Sequence, residues 1–179
     1  MALVFTVETG TGTDSSANSC PSVAEADDYL EPDTARYTIW NALTTTQQQY
    51  LLALGTRNLN VYSVFEGTKT VATSPMSFPR TGVTDKEGCT IGANVIPNEL
   101  KFAAIELGYL LNTLDLTELP ATEGIKKIVV DVIEIEFQSG ENESGVTPRT
   151  IPSIINALLN GIGFFAKGSR RQSAKIIRS

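Results

Sequence analysis

The chain has 179 residues, 41% of them hydrophobic and 19% charged, which is typical of one globular domain, with or without arms, and excludes a wholly disordered chain. It has no histidine, and this excludes a Ser-His-Asp triad, a Cys-His dyad and a histidine-ligated metal site. The net charge of −6 is divided unevenly, because residues 1–143 carry all 20 acids and eight bases whereas residues 144–179 carry six bases and no acid.

The N-terminal part of the chain predicts a strand, a loop and a helix. Residues 2–8 are rich in β-forming side chains and predict one short strand at a sheet edge. Residues 9–18 contain Gly, Ser, Thr and Asp without periodicity, which indicates a loop or an extended arm. Ser22 and Glu25 form a capping box, which begins a helix that ends near Leu30.

Two more helices are predicted in the following segment. A short one covers residues 34–43. Thr45 and Gln48 form a second capping box and open a longer helix that runs through Tyr62. Gly55 weakens this longer helix but does not end it.

A long connection follows, residues 66–97, which is rich in Gly, Pro, Ser and Thr. Loops of this length within a small domain usually have a function or contact a partner. Pro97 then opens the clearest helix, which is apolar nearly all round and is therefore predicted to lie at the centre of the core. Residues 125–137 are the strongest β segment, and a phase change near 131–133 predicts a bulge or a tight hairpin. Pro152 opens a last helix.

Neither the glycine pair near the N-terminus nor the two cysteines are predicted to bind a phosphate or to act in catalysis. Gly10-Thr-Gly12 lacks the lysine that a phosphate loop requires. Cys89 has no nearby histidine that would activate it, and a reactive thiolate would need another cationic neighbour, so it is predicted to be structural. Cys20 and Cys89 are expected to be reduced and buried, although the sequence does not determine whether they pair.

Pairs of acidic residues are also predicted to lie at the surface. Asp27 and Glu31 are four residues apart on a helix but lack the spacing of a calcium loop. Glu134 and Glu136 share the polar face of a half-exposed strand. We therefore predict no catalytic residue, no metal site and no cofactor, and a protein that is not an enzyme.

The basic C-terminal segment indicates an acidic partner. Nucleic acid is one option, although aromatic residues are sparse there and the acidic body would repel phosphates. Anionic lipid is a second option, although no apolar run is long enough to span a membrane and the N-terminus is not that of a signal peptide. An acidic protein surface, to which the segment docks as an arm that folds on binding, fits best. A solvated tail without a partner is the remaining alternative.

Several segments, in order along the chain, resemble those of a known family; they are residues 7–12, 16–19, 22–29, 78–82, 96–101 and 126–137. The chain is similar to tailed-bacteriophage neck proteins, small head-to-tail adaptors or connectors, a family also described as DnaT-like single-stranded-DNA-binding proteins. The resemblance covers most of residues 5–160, although Cys20 stands where an aromatic residue is usual, and it does not extend past about residue 163.

The resemblance implies a mainly α fold with a small β element (α+β), containing one β-hairpin or bulged strand pair and extended termini. Residues 1–160 would form the helical adaptor domain with its N-terminal strand or arm, and residues 161–179 a basic C-terminal arm. The implied function is that of a structural virion protein, which is made in the host cytoplasm. It would form a homo-oligomeric ring, a dodecamer, in the neck of the virion. Its partners there would be the portal protein and the tail or tail-completion protein. Genomic DNA would pass through it without tight binding, and no membrane would be involved. The alternative is a single-stranded-DNA-binding phage replication accessory protein.

The resemblance, taken together with the basic and apolar residues of the C-terminal segment, predicts two groups of partner-binding residues. The predicted inter-subunit residues are Phe78, Pro79 and Arg80. The predicted portal-binding residues are Ile162, Phe164, Phe165, Lys167, Arg170, Arg171, Lys175, Ile176, Ile177 and Arg178.

Overall fold

In the part of the chain that the structure, a computed structural model, describes, there are five helices and three two-stranded antiparallel sheets. They confirm the predicted mainly α fold with a small β element. The described residues are 3–112, 127–130, 133–136 and 153–165, of which the two central ranges are described by their backbone alone. The helices are α1 (Val23–Leu30), α2 (Thr34–Asn41), α3 (Thr45–Tyr62), α4 (Asn98–Leu111) and α5 (Ser153–Leu159). The strands are β1 (Ser63–Phe65), β2 (Thr68–Lys69), β3 (Arg80–Thr81), β4 (Lys127–Val130), β5 (Ile133–Glu136) and β6 (Gly163–Phe165).

The chain divides into two compact units. One comprises Met1–Leu114 and Pro152–Ser179, and the other is Asp115–Ile151, which contains β4 and β5. In the second unit, β4 and β5 pair with Val130 opposite Ile133, which confirms a tight hairpin at the predicted phase change. Among the described residues, no helix is both long and apolar enough to cross a membrane.

Capping boxes begin two of the helices. At α1 the Glu25 N–H donates to Ser22 Oγ at 3.2 Å and the Ser22 N–H donates to Glu25 Oε2 at 2.8 Å, as predicted. At α3 the box is formed by Thr44 and Gln47, so the predicted pair, Thr45 with Gln48, is wrong by one residue. Gln48 does not cap the helix because its side chain is buried, and its amide donates to the carbonyl oxygen of Trp40.

The N-terminal strand prediction is wrong, because residues 3–8, the described part of the predicted strand, make only an isolated parallel bridge, between Val7 and Ser19. The Asn18 side chain takes the place of a neighbouring strand. Its Oδ1 accepts from the Thr6 N–H at 3.1 Å, and its Nδ2 donates to the Val4 carbonyl at 2.7 Å. The adjoining loop therefore satisfies the polar backbone groups of this segment.

The core forms where α1, α2, α3 and α4 meet. Its buried cluster consists of Ala26, Leu30, Trp40, Leu52 and Ile105. Helix α4 is buried at every residue from 103 to 108, which confirms its predicted central place.

Helices α3 and α4 approach so closely that their backbones touch at two glycines. A Cβ atom on Gly55 would lie 2.8 Å from the backbone nitrogen of Gly108, and one on Gly108 would lie 2.7 Å from the carbonyl oxygen of Leu51. Both distances are shorter than van der Waals contact. Gly55 therefore remains in the middle of α3, despite a helix propensity about 1 kcal/mol worse than that of alanine, because no larger residue fits there.

Strand β6 was not predicted. It follows α5 and pairs antiparallel with β1, so that Phe164 lies opposite Val64 and Gly163 lies opposite Phe65. This pairing returns the chain to the C-terminal end of α3. Residues 163–165, which the sequence assigned to the basic arm, are thus held against the helical body.

Gly55→Ala tests the close helix crossing. We expect it to lower the free energy of unfolding by about 1–3 kcal/mol, because the added methyl group overpacks a backbone contact, although alanine favours a helix. Urea denaturation followed by circular dichroism measures the change. Thr46→Ala, at an exposed position of the same helix, is the control and should leave the stability unchanged or slightly higher. A Gly55→Ala protein as stable as this control would show that the crossing tolerates a side chain.

Candidate functional site

The basic residues of the body are mostly used within the fold. Residues 3–112 hold twelve acids and six bases. Four of the bases, namely Arg36, Lys69, Arg80 and Lys101, bond to other groups of the chain. Among the described residues, Arg57 and Lys86 are the exposed cations with no such bond. The body therefore offers little positive charge to an external anion.

The Arg36–Glu106 pair joins α2 to the central helix. The guanidinium contacts both carboxylate oxygens, at 2.9 and 2.7 Å, and lies 4.5 Å from the ring centroid of Tyr109. Hydrogen bonding to Glu106 raises the pKa of Arg36. Tyr29 also donates to Glu106 at 2.9 Å, and burial, together with this bond, raises the pKa of Tyr29 to about 12. The buried carboxylate is thus compensated by two donors, as a buried charge requires.

Arg80, in β3, binds the turn between β1 and β2 and also the segment that leads into β3. Its guanidinium donates to the backbone carbonyls of Glu66 at 2.6 Å, Gly67 at 2.7 Å and Ser77 at 3.2 Å. Desolvation by burial lowers the pKa of Arg80 from its usual value.

The two residues before Arg80 are buried. Phe78 packs edge-on against Phe65 with ring centroids 5.3 Å apart, and Pro79 follows it through a cis peptide bond. The three residues predicted to lie between subunits thus bond and pack within their own chain, and their inter-subunit role stays a prediction.

The glycine pair near the N-terminus binds an internal carboxylate. Glu8 is 2% exposed, and its Oε1 accepts from the N–H groups of Gly10 and Gly12, each at 2.9 Å. Both glycines have positive φ, which lets their N–H groups converge. Glu8 Oε2 is buried without a hydrogen-bond partner. The amide groups that could hold a phosphate are therefore already occupied.

The paired acids of α1 do not form a metal site. Asp27 accepts a hydrogen bond from the indole nitrogen of Trp40 at 2.7 Å, so it joins α1 to α2. Within the described ranges, no group of three or more acids and cysteines could hold a metal ion. The side chains of Glu134 and Glu136 lie outside what the structure describes.

The two thiols are free and lie in different environments. Cys20 is buried, and burial raises the pKa of its thiol to about 12. Cys89 is exposed, so the prediction that both thiols are buried is wrong for Cys89. It lies in a turn in which the Asp85 side chain accepts hydrogen bonds from the N–H groups of Glu87 and Cys89.

The predicted portal-binding residues lie partly in the body. Ile162 is buried, Phe164 is half-buried in β6, and Phe165 pairs with Ser63 through the backbone. The other predicted residues lie outside the described residues; they are Lys167, Arg170, Arg171, Lys175, Ile176, Ile177 and Arg178.

Sequence reasoning missed a second apolar face on α3. We call Tyr50, Leu54, Arg57 and Val61 the outer face, because all four are exposed and follow one another at helical spacing. They lie opposite the buried residues Gln48, Leu52, Gly55, Thr56 and Leu59. The signal is present in the sequence as two apolar phases on one helix, and the sequence analysis assigned a face to neither of them.

A sequence model of one protein family, described as "Putative DnaT-like ssDNA binding protein", matches residues 1–179. Neither curated proteins nor solved structures yield a match. The family match overturns the predicted role as a structural head-to-tail adaptor of the virion, with its ring, portal and tail partners and its passage of DNA without tight binding. The matching family is instead described by the binding of single-stranded DNA, which was the alternative.

Thiol labelling tests the contrast between Cys20 and Cys89. At pH 8, a thiol with a pKa of about 12 is a thiolate in about one molecule in ten thousand, and the thiolate is the reactive form. We therefore expect Ellman's reagent to label one thiol per native chain and two after denaturation in urea. The Cys89→Ser variant should show no rapid labelling until urea is added. Two rapidly reacting thiols in the native wild-type protein would contradict the burial of Cys20.

Proposed function

We propose that this chain, which belongs to the family of DnaT-like ssDNA-binding proteins, binds single-stranded DNA through its basic C-terminal segment, residues 166–179. The proposed function is binding, and it needs neither a catalytic group nor a cofactor.

The distribution of charge is the main reason for assigning DNA binding to this segment. Residues 166–179 contain five cations and no acid, whereas residues 3–112 contain twice as many acids as bases. Four of the six cations in residues 3–112 are bonded within the fold and are not free to bind phosphates. The segment therefore offers more positive charge to DNA than the body does. The cations of the segment are Lys167, Arg170, Arg171, Lys175 and Arg178.

The position of β6 supports the same choice. The segment begins directly after Phe165, the last residue of the strand that pairs with β1. Fourteen residues extend at most to about 46 Å, which is enough to follow several nucleotides across the adjoining surface. DNA bound by the segment would thus lie next to the folded body.

Binding by cations has a defined dependence on salt. Each phosphate of a single strand that is neutralised contributes about −0.7 to the slope of log K against log salt concentration. Five contacts give a slope of about −3.5. The affinity then falls about 100-fold between 50 and 200 mM salt.

Replacing the five cations of the segment by glutamine tests the proposal. We expect the variant to lose most of its affinity for a labelled oligothymidine and most of the salt dependence, because the phosphate contacts are removed. Fluorescence anisotropy at several salt concentrations measures both. Lys86→Gln, which removes an exposed cation of the body, should bind as the wild-type protein does. No binding by the wild-type protein at low salt, or equal binding by the five-site variant, would refute the proposal.

A further inference from the structure

A cationic segment alone does not prefer single strands. Duplex DNA presents one negative charge per about 1.7 Å, a higher density than a single strand, so charge favours the duplex. Selection of single strands requires a surface that contacts unpaired bases, and such surfaces use aromatic and apolar side chains.

We infer that the outer face of α3 is this base-contacting surface. The inference rests on the proposed function, because it assigns to the same DNA a second contact outside the basic segment. Its occupant is a single strand of DNA, whose bases pack on Tyr50, Leu54 and Val61 and whose phosphates approach Arg57.

Helical geometry places the four residues in one row. At 100° per residue, Tyr50, Leu54, Arg57 and Val61 fall within a sector of about 60°. Their side chains extend over about 17 Å along the helix, at 1.5 Å per residue. Tyr50 is 44% exposed, Leu54 38% and Val61 63%. A solvent-facing row on an amphipathic helix is normally polar, whereas three of these four residues are large and apolar.

Further exposed apolar residues occur near both ends of the row. At the N-terminal end, the Leu3 N–H lies 3.5 Å from the Tyr50 hydroxyl oxygen, and both Leu3 and the following Val4 are exposed. At the C-terminal end, Val64, three residues after Val61, is 51% exposed. Large exposed apolar residues that lie near one another mark a binding site more often than single ones do.

The charge around the row fits a polyanion. No acid occurs between Asp33 and Glu66, a span that includes all of α3, in a body that is otherwise acidic. Arg57 lies in the row without a partner among the described residues, so its guanidinium is available to a phosphate. Tyr50 thus supplies an aromatic ring on which a base can stack, and Arg57 supplies a cation for the adjoining phosphate.

The row also adjoins the basic segment. Helix α3 ends at Tyr62, β1 starts at Ser63, and Val64 lies opposite Phe164 in β6. The cationic residues begin three positions later, at Lys167. A single strand of DNA bound at the start of the segment would therefore lie close to the C-terminal end of the outer face.

Substitutions on the outer face separate base contacts from charge. We expect Tyr50→Ala to weaken binding of oligothymidine about tenfold with an unchanged salt slope, because it removes stacking and no charge. Arg57→Gln should reduce the slope by about 0.7. Val61→Asp should also weaken single-strand binding, and all three should reduce the preference over a duplex of equal length in competition anisotropy.

Matched controls use residues away from the row. Ile154→Asp adds the same charge at another exposed aliphatic residue, on α5, and Lys86→Gln removes the other unpaired exposed cation. Both should retain the wild-type affinity and preference. Circular dichroism verifies that each variant is folded.

Failure of the inference differs from failure of the proposed function. If the wild-type protein binds DNA through the basic segment while Tyr50→Ala and Val61→Asp bind single strands as the wild type does, the outer face is not the base-contacting surface. If Val61→Asp instead changes the mass found by sedimentation and leaves DNA affinity unaltered, the face binds a second copy and the inference is overturned. Absence of any DNA binding by the wild type would refute the proposed function itself.

Discussion

Helices α3 and α4 cross without side chains between them, and much of the arrangement of the body depends on that contact. Gly55 and Gly108 let the two backbones meet, so the inner face of α3 is fixed against the buried central helix. Glu106 lies two residues before Gly108 and binds Arg36, which brings α2 to the same helix. With its inner face held in this way, α3 has only one orientation, and the row from Tyr50 to Val61 must face outward.

The body also compensates its charges locally. Glu8 accepts hydrogen bonds from the N–H groups of a glycine loop, and Glu106 accepts them from a guanidinium and a hydroxyl, whereas Arg80 donates to backbone carbonyl oxygens. Each of these groups is buried or half-buried, where an uncompensated charge is costly. The positive charge that remains for a partner is concentrated after residue 165, which is why the proposed function assigns DNA binding to that segment.

Local signals in the sequence predicted most of the helices, whereas contacts between residues far apart in the chain were not predicted. The Ser22 capping box, the hairpin before Ile133 and the buried helix after Pro97 depend on neighbouring residues, and the structure confirms them. The pairing of β1 with β6 joins residues about a hundred positions apart, and no local pattern indicates it. The prediction of an N-terminal strand was wrong for the same reason, because the Asn18 side chain supplies the hydrogen bonds that a neighbouring strand would have supplied.

The pairing of β6 with β1 holds Phe165, the residue directly before the basic segment, beside the C-terminal end of α3. If the segment and the outer face both bind DNA as proposed, a single strand bound at one contact meets the other at an effective concentration set by the length of chain between them rather than by the bulk solution. Two contacts that are weak when separate would thereby combine into one stronger attachment, and either could release briefly while the other keeps the DNA in place.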